Sequence, residues 1–306
     1  MVIAAAVQLD AVPGDISANL AACERLADQA GRAGAEIIAL PEFFTTGVGF
    51  LHRLTDAALP PDGPATALLM RIAQRYGALV GGSFLCRDPD GHVRNAYLLA
   101  DATGVVGRHD KDLPTMWENA FYIGGHDDGV LAAGGLRIGA AVCWELMRTQ
   151  TVRRLRGRVD LVMAGSGWWS VPSWRPSMLF DRLEQHNTVT ARRAAAEFAR
   201  YVGAPVVHAA HAGNLNCPMP WMPLRYHGHF EGSTLITTAD GTVIAERRKE
   251  DGEGIVLGEI TPGAQHPAST TPTGFWLHRR GALPSAAWHY QRWHGRRFYR
   301  RQVAGR

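Results

Sequence analysis

Apolar and polar positions along the chain change period in a regular way. Val2 to Leu9 is an almost unbroken apolar run of strand type. From Asp15 to Arg32 the apolar positions Ile16, Leu20, Cys23, Leu26 and Ala27 recur at helical spacing. Ala35 to Leu40 is a second apolar strand, ended by Pro41-Glu42, and Ala65 to Tyr76 then Ala78 to Leu85 predict a helix and a strand. Asn95 to Ala100 and Val105 to His109 form a hairpin-like pair around Asp101-Ala102-Thr103-Gly104. Leu113 to Gly135 has little periodicity and is expected to be a long loop. A strand from Leu136, marked at its start by Gly134-Gly135, runs to Cys143, and a polar, arginine-rich helix follows between Met147 and Arg158. Val159 to Ala164 is a strand, Phe180 to Tyr201 a helix and Pro205 to Ala210 a strand, followed by a loop to about Phe230. Gly232 to Thr237, Thr242 to Arg247 and Ile255 to Ile260 close the body as strands. Alternating strands and helices with hairpins between them predict a layered α/β domain with a mixed sheet.

Three polar residues end strands in this scheme. Continuous apolar runs are the mark of parallel strands buried on both faces, and ligands of open α/β sheets bind beyond the carboxyl ends of such strands. Cys143 sits there, where strand hands over to helix, and the N–H groups of the following turn are expected to lower its pKa. Taken alone, the stretch allows a buried structural thiol equally well. Glu42 follows Ile37-Ile38-Ala39-Leu40-Pro41 directly, and Lys111 ends the strand before Asp112-Leu113-Pro114. Each alone reads as a surface charge; together the three can converge on one edge. Lys111 also stands out because the chain has only two lysines, Lys111 and Lys249, among many arginines. A retained lysine suits a site that wants a compact ammonium.

Leu40-Pro41-Glu42-Phe43, Lys111-Asp112-Leu113-Pro114 with Glu118, and Gly139-Ala140-Ala141-Val142-Cys143-Trp144-Glu145 follow one another in the order and spacing of the nitrilase superfamily of carbon–nitrogen hydrolases. Asp15-Ile16 with Asn19, Asn95, Gly232-Ser233 and Asp240-Gly241 resemble further parts of that family. The resemblance covers about residues 1 to 260. It implies an α-β-β-α sandwich with mixed sheets; no repeat or low-complexity linker divides the chain, so a single domain is expected over 1–261, with a C-terminal arm over 262–306 that the resemblance does not cover. It also implies a Glu42–Lys111–Cys143 catalytic triad, with Glu118 as an additional glutamate that positions Lys111 and substrate.

The chemistry fits that assignment independently. An amide or nitrile carbon is a poor electrophile and needs a thiolate, whereas a free thiol has a pKa of about 8.5. Glu42 is the general base, Lys111 and the Trp144 N–H stabilise the charge that builds on the carbonyl oxygen or nitrile nitrogen, and water hydrolyses the thioester. Neither metal nor organic cofactor is required. The expected function is hydrolysis of a non-peptide carbon–nitrogen bond, an amide or a nitrile, releasing ammonia or an amine. The motifs do not separate this from acyl transfer through the same thioester, and a catalytically silent binding protein on the same fold is the rival of another class. Residues 191–197 depart from the Arg-Ala-x-Glu-Asn run found in many family members, so amide is expected ahead of nitrile as the broader class. Trp117, Trp144, Trp168 and Trp169, with Trp174, fall in loops at strand ends and are expected to hold an apolar or aromatic acyl group, unless they pack the core or a subunit interface.

Composition narrows the rest. Four scattered cysteines without a CxxC pair fit a reducing compartment, and a cytoplasmic location is expected. The first residues lack the basic stretch of a signal peptide, and no apolar run reaches spanning length, so no membrane association is expected. The net charge is +4, yet no Asp or Glu follows Glu259, whereas eight arginines do, leaving the body at −4. The tail also carries Trp276, Trp288, Trp293 and Tyr299. Nucleic-acid binding, an acidic membrane, and an arm on the acidic body of a neighbouring subunit all fit it. The third is favoured, giving a homodimer or larger assembly and no nucleic-acid partner. His208 with His211, and His227 with His229, are spaced for a metal, but no carboxylate or cysteine in the sequence completes either set, and none is expected. Gly165-Ser166-Gly167 lacks the spacing of a serine-hydrolase elbow.

Overall fold

The computed structural model describes residues 1–220 and 222–304; Arg306 of the basic tail lies outside them. β1 (Val2–Leu9) leads to α1 (Ile16–Arg32), which begins where the Asp15 carboxylate accepts the Ala18 N–H at 3.0 Å. β2 (Ile37–Ala39), α2 (Pro64–Tyr76), β3 (Leu79–Arg87), β4 (Val93–Asp101) and β5 (Gly104–Asp110) complete a first half. β6 (Val130–Ala133), β7 (Leu136–Val142), α3 (Thr149–Leu155), β8 (Leu161–Ser166), α4 (Ser177–Val202) and β9 (Val206–His211) build a second. Then come β10 (Asn214–Pro218), β11 (Arg225–His229), β12 (Gly232–Thr237), β13 (Val243–Arg248), β14 (Gly254–Ile260) and α5 (Ala282–Gln302).

The strands run β5-β4-β3-β2-β1 in one half and β9-β8-β7-β6 in the other, joined where Gln8 and Leu9 of β1 pair with Ala210 and His211 of β9. β14 adds to β1 and β12 to β9, both antiparallel, so the last strands return to the centre of each half. Alternate side chains of β1 enter different cores. Ala5, Val7 and Leu9 pack with α1 and α2, whereas Ala4 and Ala6 join Ile138, Ala140 and Val142 of the facing half. Helices therefore lie outside and the two sheet halves face each other, the layering the resemblance implied.

Strand direction decides the site. β1, β2 and β3 are parallel, and two antiparallel steps through β4 bring β5 into the same direction. β7, β8 and β9 are parallel to one another, and β9 to β1. The carboxyl ends of β2, β5 and β7, just before Glu42, Lys111 and Cys143, thus share one edge.

Three stretches differ from the sequence expectation. The segment after Leu113 is not all loop: it holds a 3₁₀ turn at Met116–Ala120 and β6, and Gly134-Gly135 is the tight turn joining β6 to β7, both glycines with positive φ. The loop before Phe230 contains the β10–β11 hairpin. The tail, for which no element is expected, forms a helix on its own chain: α5 buries Trp288, Gln291, His294, Gly295 and Tyr299, and the Tyr299 hydroxyl accepts the Val93 N–H at 3.0 Å. No helix among the described residues is long and apolar enough to cross a membrane.

Candidate active site

Glu42 lies one residue beyond Pro41, on a chain that turns sharply after β2. Asn19, a polar residue on the buried face of α1, holds this turn from outside by donating to the carbonyls of Val12 and Thr45. Phe43 has φ +51°, a left-handed conformation that costs a bulky residue energy and occurs mostly where surrounding structure enforces it. Met116 and Cys143 share it, at +49° and +54°. Strain is therefore concentrated around the strand-end edge.

The three expected catalytic side chains meet there. The Lys111 ammonium donates to Glu42 Oε1 and Glu118 Oε2, each at 2.8 Å, and to Thr115 Oγ1 at 3.2 Å. Asn95 Nδ2 also donates to Glu42 Oε1, and the Gly167 N–H to Oε2, both at 2.8 Å. The Cys143 sulfur and one oxygen from each of Glu42 and Glu118 lie within 4.8 Å of one another. Lys111, Glu42 and Glu118 side chains are wholly buried, and Cys143 is 1 % exposed. Glu118 is fixed further by the Thr115 N–H and the Tyr122 hydroxyl, both donating to Oε2, while its Oε1 has no partner.

Electrostatics sets the protonation states. Burial alone would push the Lys111 pKa down, but Glu118 and Glu42 hold it well above its usual value, so the ammonium persists. Burial pushes Glu118 up to about 7, against the pull of Lys111. Burial, then the charge of Glu42, pushes the Cys143 thiol well above its usual range. The expected lowering by backbone N–H groups is overruled because the sulfur is desolvated beside a carboxylate. Cys143 rests as a thiol, and a base must take its proton as it attacks. The Glu42, Glu118 and Cys143 atoms are spaced for a metal ion, but the Lys111 ammonium already bridges the two carboxylates and supplies the charge a cation would.

Glu145, quoted above only as part of a motif, clamps the site. Its Oε2 accepts the Val142 N–H at 2.8 Å, and its Oε1 accepts the Asp112 N–H at 3.1 Å. One buried carboxylate thus ties the strand end bearing Cys143 to the loop bearing Lys111. His109 and Arg154 neutralise it. Burial would depress His109, but Glu145 and Asp127 outweigh it and raise the pKa to about 10; burial would raise Glu145, but His109 and Arg154 hold it well below the carboxylate range. A folded-state pKa above the unfolded one stabilises fully below the unfolded value of about 6.5. The His109 contribution therefore declines as pH rises from about 6.5 to 10. Glu145→Gln should lower stability at pH 7 by about 2 kcal/mol and flatten this alkaline decline, which denaturant midpoints at neutral and alkaline pH would reveal.

Two motifs set aside in the sequence have work to do. A Cβ on Gly165 would lie 2.7 Å from the Glu42 nitrogen, so Gly165-Ser166-Gly167 serves close approach to the Glu42 turn. His211 Nε2 meets the Glu42 carbonyl at 2.6 Å, whereas His208 bonds to Ser166 and Ser233. The statement that no carboxylate completes a histidine set is corrected by the fold: Glu184 and Glu231 approach His229 within 4.8 Å. Lys249 Nζ sits 2.7 Å from His229 Nε2 and 3.4 Å from Glu231, so both lysines of the chain occupy carboxylate clusters.

A cavity of about 480 Å³ is lined in part by Trp117 and Trp144, the chain neighbours of Glu118 and Cys143. Trp117, Trp144 and Trp169 line it, with Trp174, Tyr226 and Phe180. Trp168 is not among its lining residues; its Nε1 donates to Asn187 and its ring packs near Trp144 in the core. Trp117 and Trp169 lie with ring centroids 4.5 Å apart, while Trp144 stacks on Trp288 of α5 at 5.4 Å.

A family model described as carbon-nitrogen hydrolase matches residues 3–266. A nitrilase of Pyrococcus abyssi is 27% identical over 196 residues, 62% of this chain and 74% of that one. A 2-oxoglutaramate amidase of Bacillus subtilis is 25% identical over 257 residues, 83% and 88% of the two chains. Among solved structures, a CN-hydrolase superfamily protein from Xanthomonas campestris superposes with a TM-score of 0.65 at 22% identity, covering 84% of this chain and 89% of that one.

Proposed function

We propose that this chain, which belongs to the carbon–nitrogen hydrolase family, hydrolyses the amide bond of a small substrate through a thioester on Cys143. The observation that carries the reading is the Lys111 ammonium held between Glu42 and Glu118, with the Cys143 sulfur within 4.8 Å of both carboxylates. In the first step the thiol passes its proton to Glu42 as sulfur bonds to the amide carbon. The carbonyl electrons move to oxygen, and Lys111 with the Trp144 N–H, at the start of the 3₁₀ turn, bears the charge. Collapse of the tetrahedral species breaks the carbon–nitrogen bond, and protonated Glu42 gives the leaving amine its proton. Glu42 then takes a proton from water, which attacks the thioester and frees the acid and the thiol. The raised thiol supports this division of labour, because a thiol kept protonated by burial needs an adjacent base. Nitriles enter by the same attack through a thioimidate.

The test is intact-mass and peptide-mass analysis after incubation with a panel of amides and nitriles. The expected result is a gain equal to the acyl group on the Cys143 peptide, with ammonia or amine released. Adducts on Cys23, Cys86 or Cys217 instead, or release without any adduct at Cys143, would overturn the reading.

A further inference from the structure

The cavity beside Trp144 is closed on one side by a segment beyond the family match, and that segment carries a charge with no obvious purpose. Residues 275–277 are laced to the turn that follows Cys143: the Thr149 N–H donates to the Phe275 carbonyl at 3.1 Å, and the Leu277 N–H to the Met147 carbonyl at 2.8 Å. His278 pairs with Glu197 of α4, from the run that departs from the family pattern. Arg280 is thereby delivered to the cavity wall. Its guanidinium lies 3.9 Å from the centroid of the Trp144 ring, with Trp276 and Trp288 closing around that ring.

No carboxylate answers this guanidinium. Among the described residues Arg280 has no ion pair, and its one polar contact is Nη1 with the Met147 sulfur at 3.4 Å. Among the described residues the cavity lining contains no Asp or Glu; its charged members are Arg279 and Arg280, beside His186 and His278. The remainder is mainly aromatic and aliphatic, with Ser170, Asn187, Thr190 and Gln291 as neutral polar members. Burial lowers the Arg280 pKa to about 10, as expected of a cation without an anionic neighbour. At neutral pH it stays charged. A planar guanidinium with free donor positions, stacked on an aromatic face, is the group best suited to a carboxylate.

We propose that Arg280 is a specificity-determining residue that binds a carboxylate on the substrate, so that the site takes amides with an apolar, ring-sized body and an anionic group remote from the scissile bond. The proposal rests on the reading of this cavity as the acyl side of the Cys143 site. The apolar wall receives the body and the Glu42–Lys111–Cys143 edge receives the amide, while Arg280 discriminates. A neutral analogue would leave the guanidinium desolvated and unpaired, and that penalty is the source of selectivity.

The test measures binding apart from chemistry. In Cys143→Ala protein, tryptophan fluorescence titrations compare para-carboxymethyl-phenylacetamide with para-isobutyl-phenylacetamide, its near-isosteric neutral counterpart. The acid should bind roughly thirty- to a hundred-fold more tightly. Adding Arg280→Met should erase that difference while leaving the neutral affinity within about threefold, and Arg280→Lys should retain part of it. Equal binding of both probes, or a preference that survives Arg280→Met, would overturn the proposal. So would loss of both probes in Arg280→Met, which would assign Arg280 to holding the cavity together. None of these results depends on a thioester forming, so they stand apart from the Cys143 adduct test.

Discussion

Cys143→Ala should abolish turnover, with a fall in kcat/KM on the order of 10⁶ where removal of a nucleophile is the measure, and should leave the folded structure in place. The first half of the expectation follows from the chemistry: neither the Lys111 ammonium nor the Trp144 N–H can form the bond to carbon, and Glu42 as base would have only water to activate. The second half follows from packing. Cys143 is 1 % exposed, and the nearby Glu42 keeps partners in Lys111, Asn95 and the Gly167 N–H. Alanine leaves a sulfur-sized gap and removes a neutral thiol, so no buried charge loses a partner. It also retains the φ of +54° at that position; exchanging one non-glycine residue for another does not change the backbone strain much. Circular dichroism and a denaturant melt would check the fold, and the rate of ammonia release the activity. A variant with normal turnover would remove Cys143 from the mechanism.

The convergence of Glu42, Lys111 and Cys143 was readable because buried parallel strands announce themselves as apolar runs with abrupt polar ends. Ile37-Ile38-Ala39-Leu40 before Glu42 and Ile138-Gly139-Ala140-Ala141-Val142 before Cys143 are of that kind. β6, with only four residues, and β10–β11, with exposed Asn214 and Asn216 alternating with buried Leu215 and Cys217, were not, because short or edge strands do not need an apolar run. α5 escaped for another reason: its buried face is Trp288, Gln291, His294, Gly295 and Tyr299, so the helical period is written in polar and aromatic residues instead of aliphatic ones. Its partners, Val93, Phe121 and Trp144, are far away in sequence. The same distance hid the clamp role of Glu145 and the placing of Arg280. The oddity of lysine usage, by contrast, was a usable signal. Each lysine occupies a cluster of acids, and one of those clusters is the candidate site.

Lys111→Met should damage both stability and catalysis, and pH separates the two. Lys111 is wholly buried between two wholly buried carboxylates, so its removal leaves Glu42 and Glu118 facing each other without a counterion. Breaking a buried pair in this way costs about 3–5 kcal/mol. Glu118, already raised to about 7, will rise further and take up a proton. An acid whose folded pKa lies above its unfolded value of about 4.3 stabilises at low pH and loses that contribution as pH rises through the folded pKa. The deficit relative to the parent protein should therefore be small near pH 5 and largest at pH 8, as urea midpoints at the two values would record. Activity should fall by at least the 10²–10³-fold typical of one lost oxyanion donor. Adding Glu118→Gln to Lys111→Met removes one of the two stranded charges and should restore much of the stability without restoring turnover. If the double variant regained both, Lys111 would be a structural counterion and not the group that bears the charge developing on the substrate.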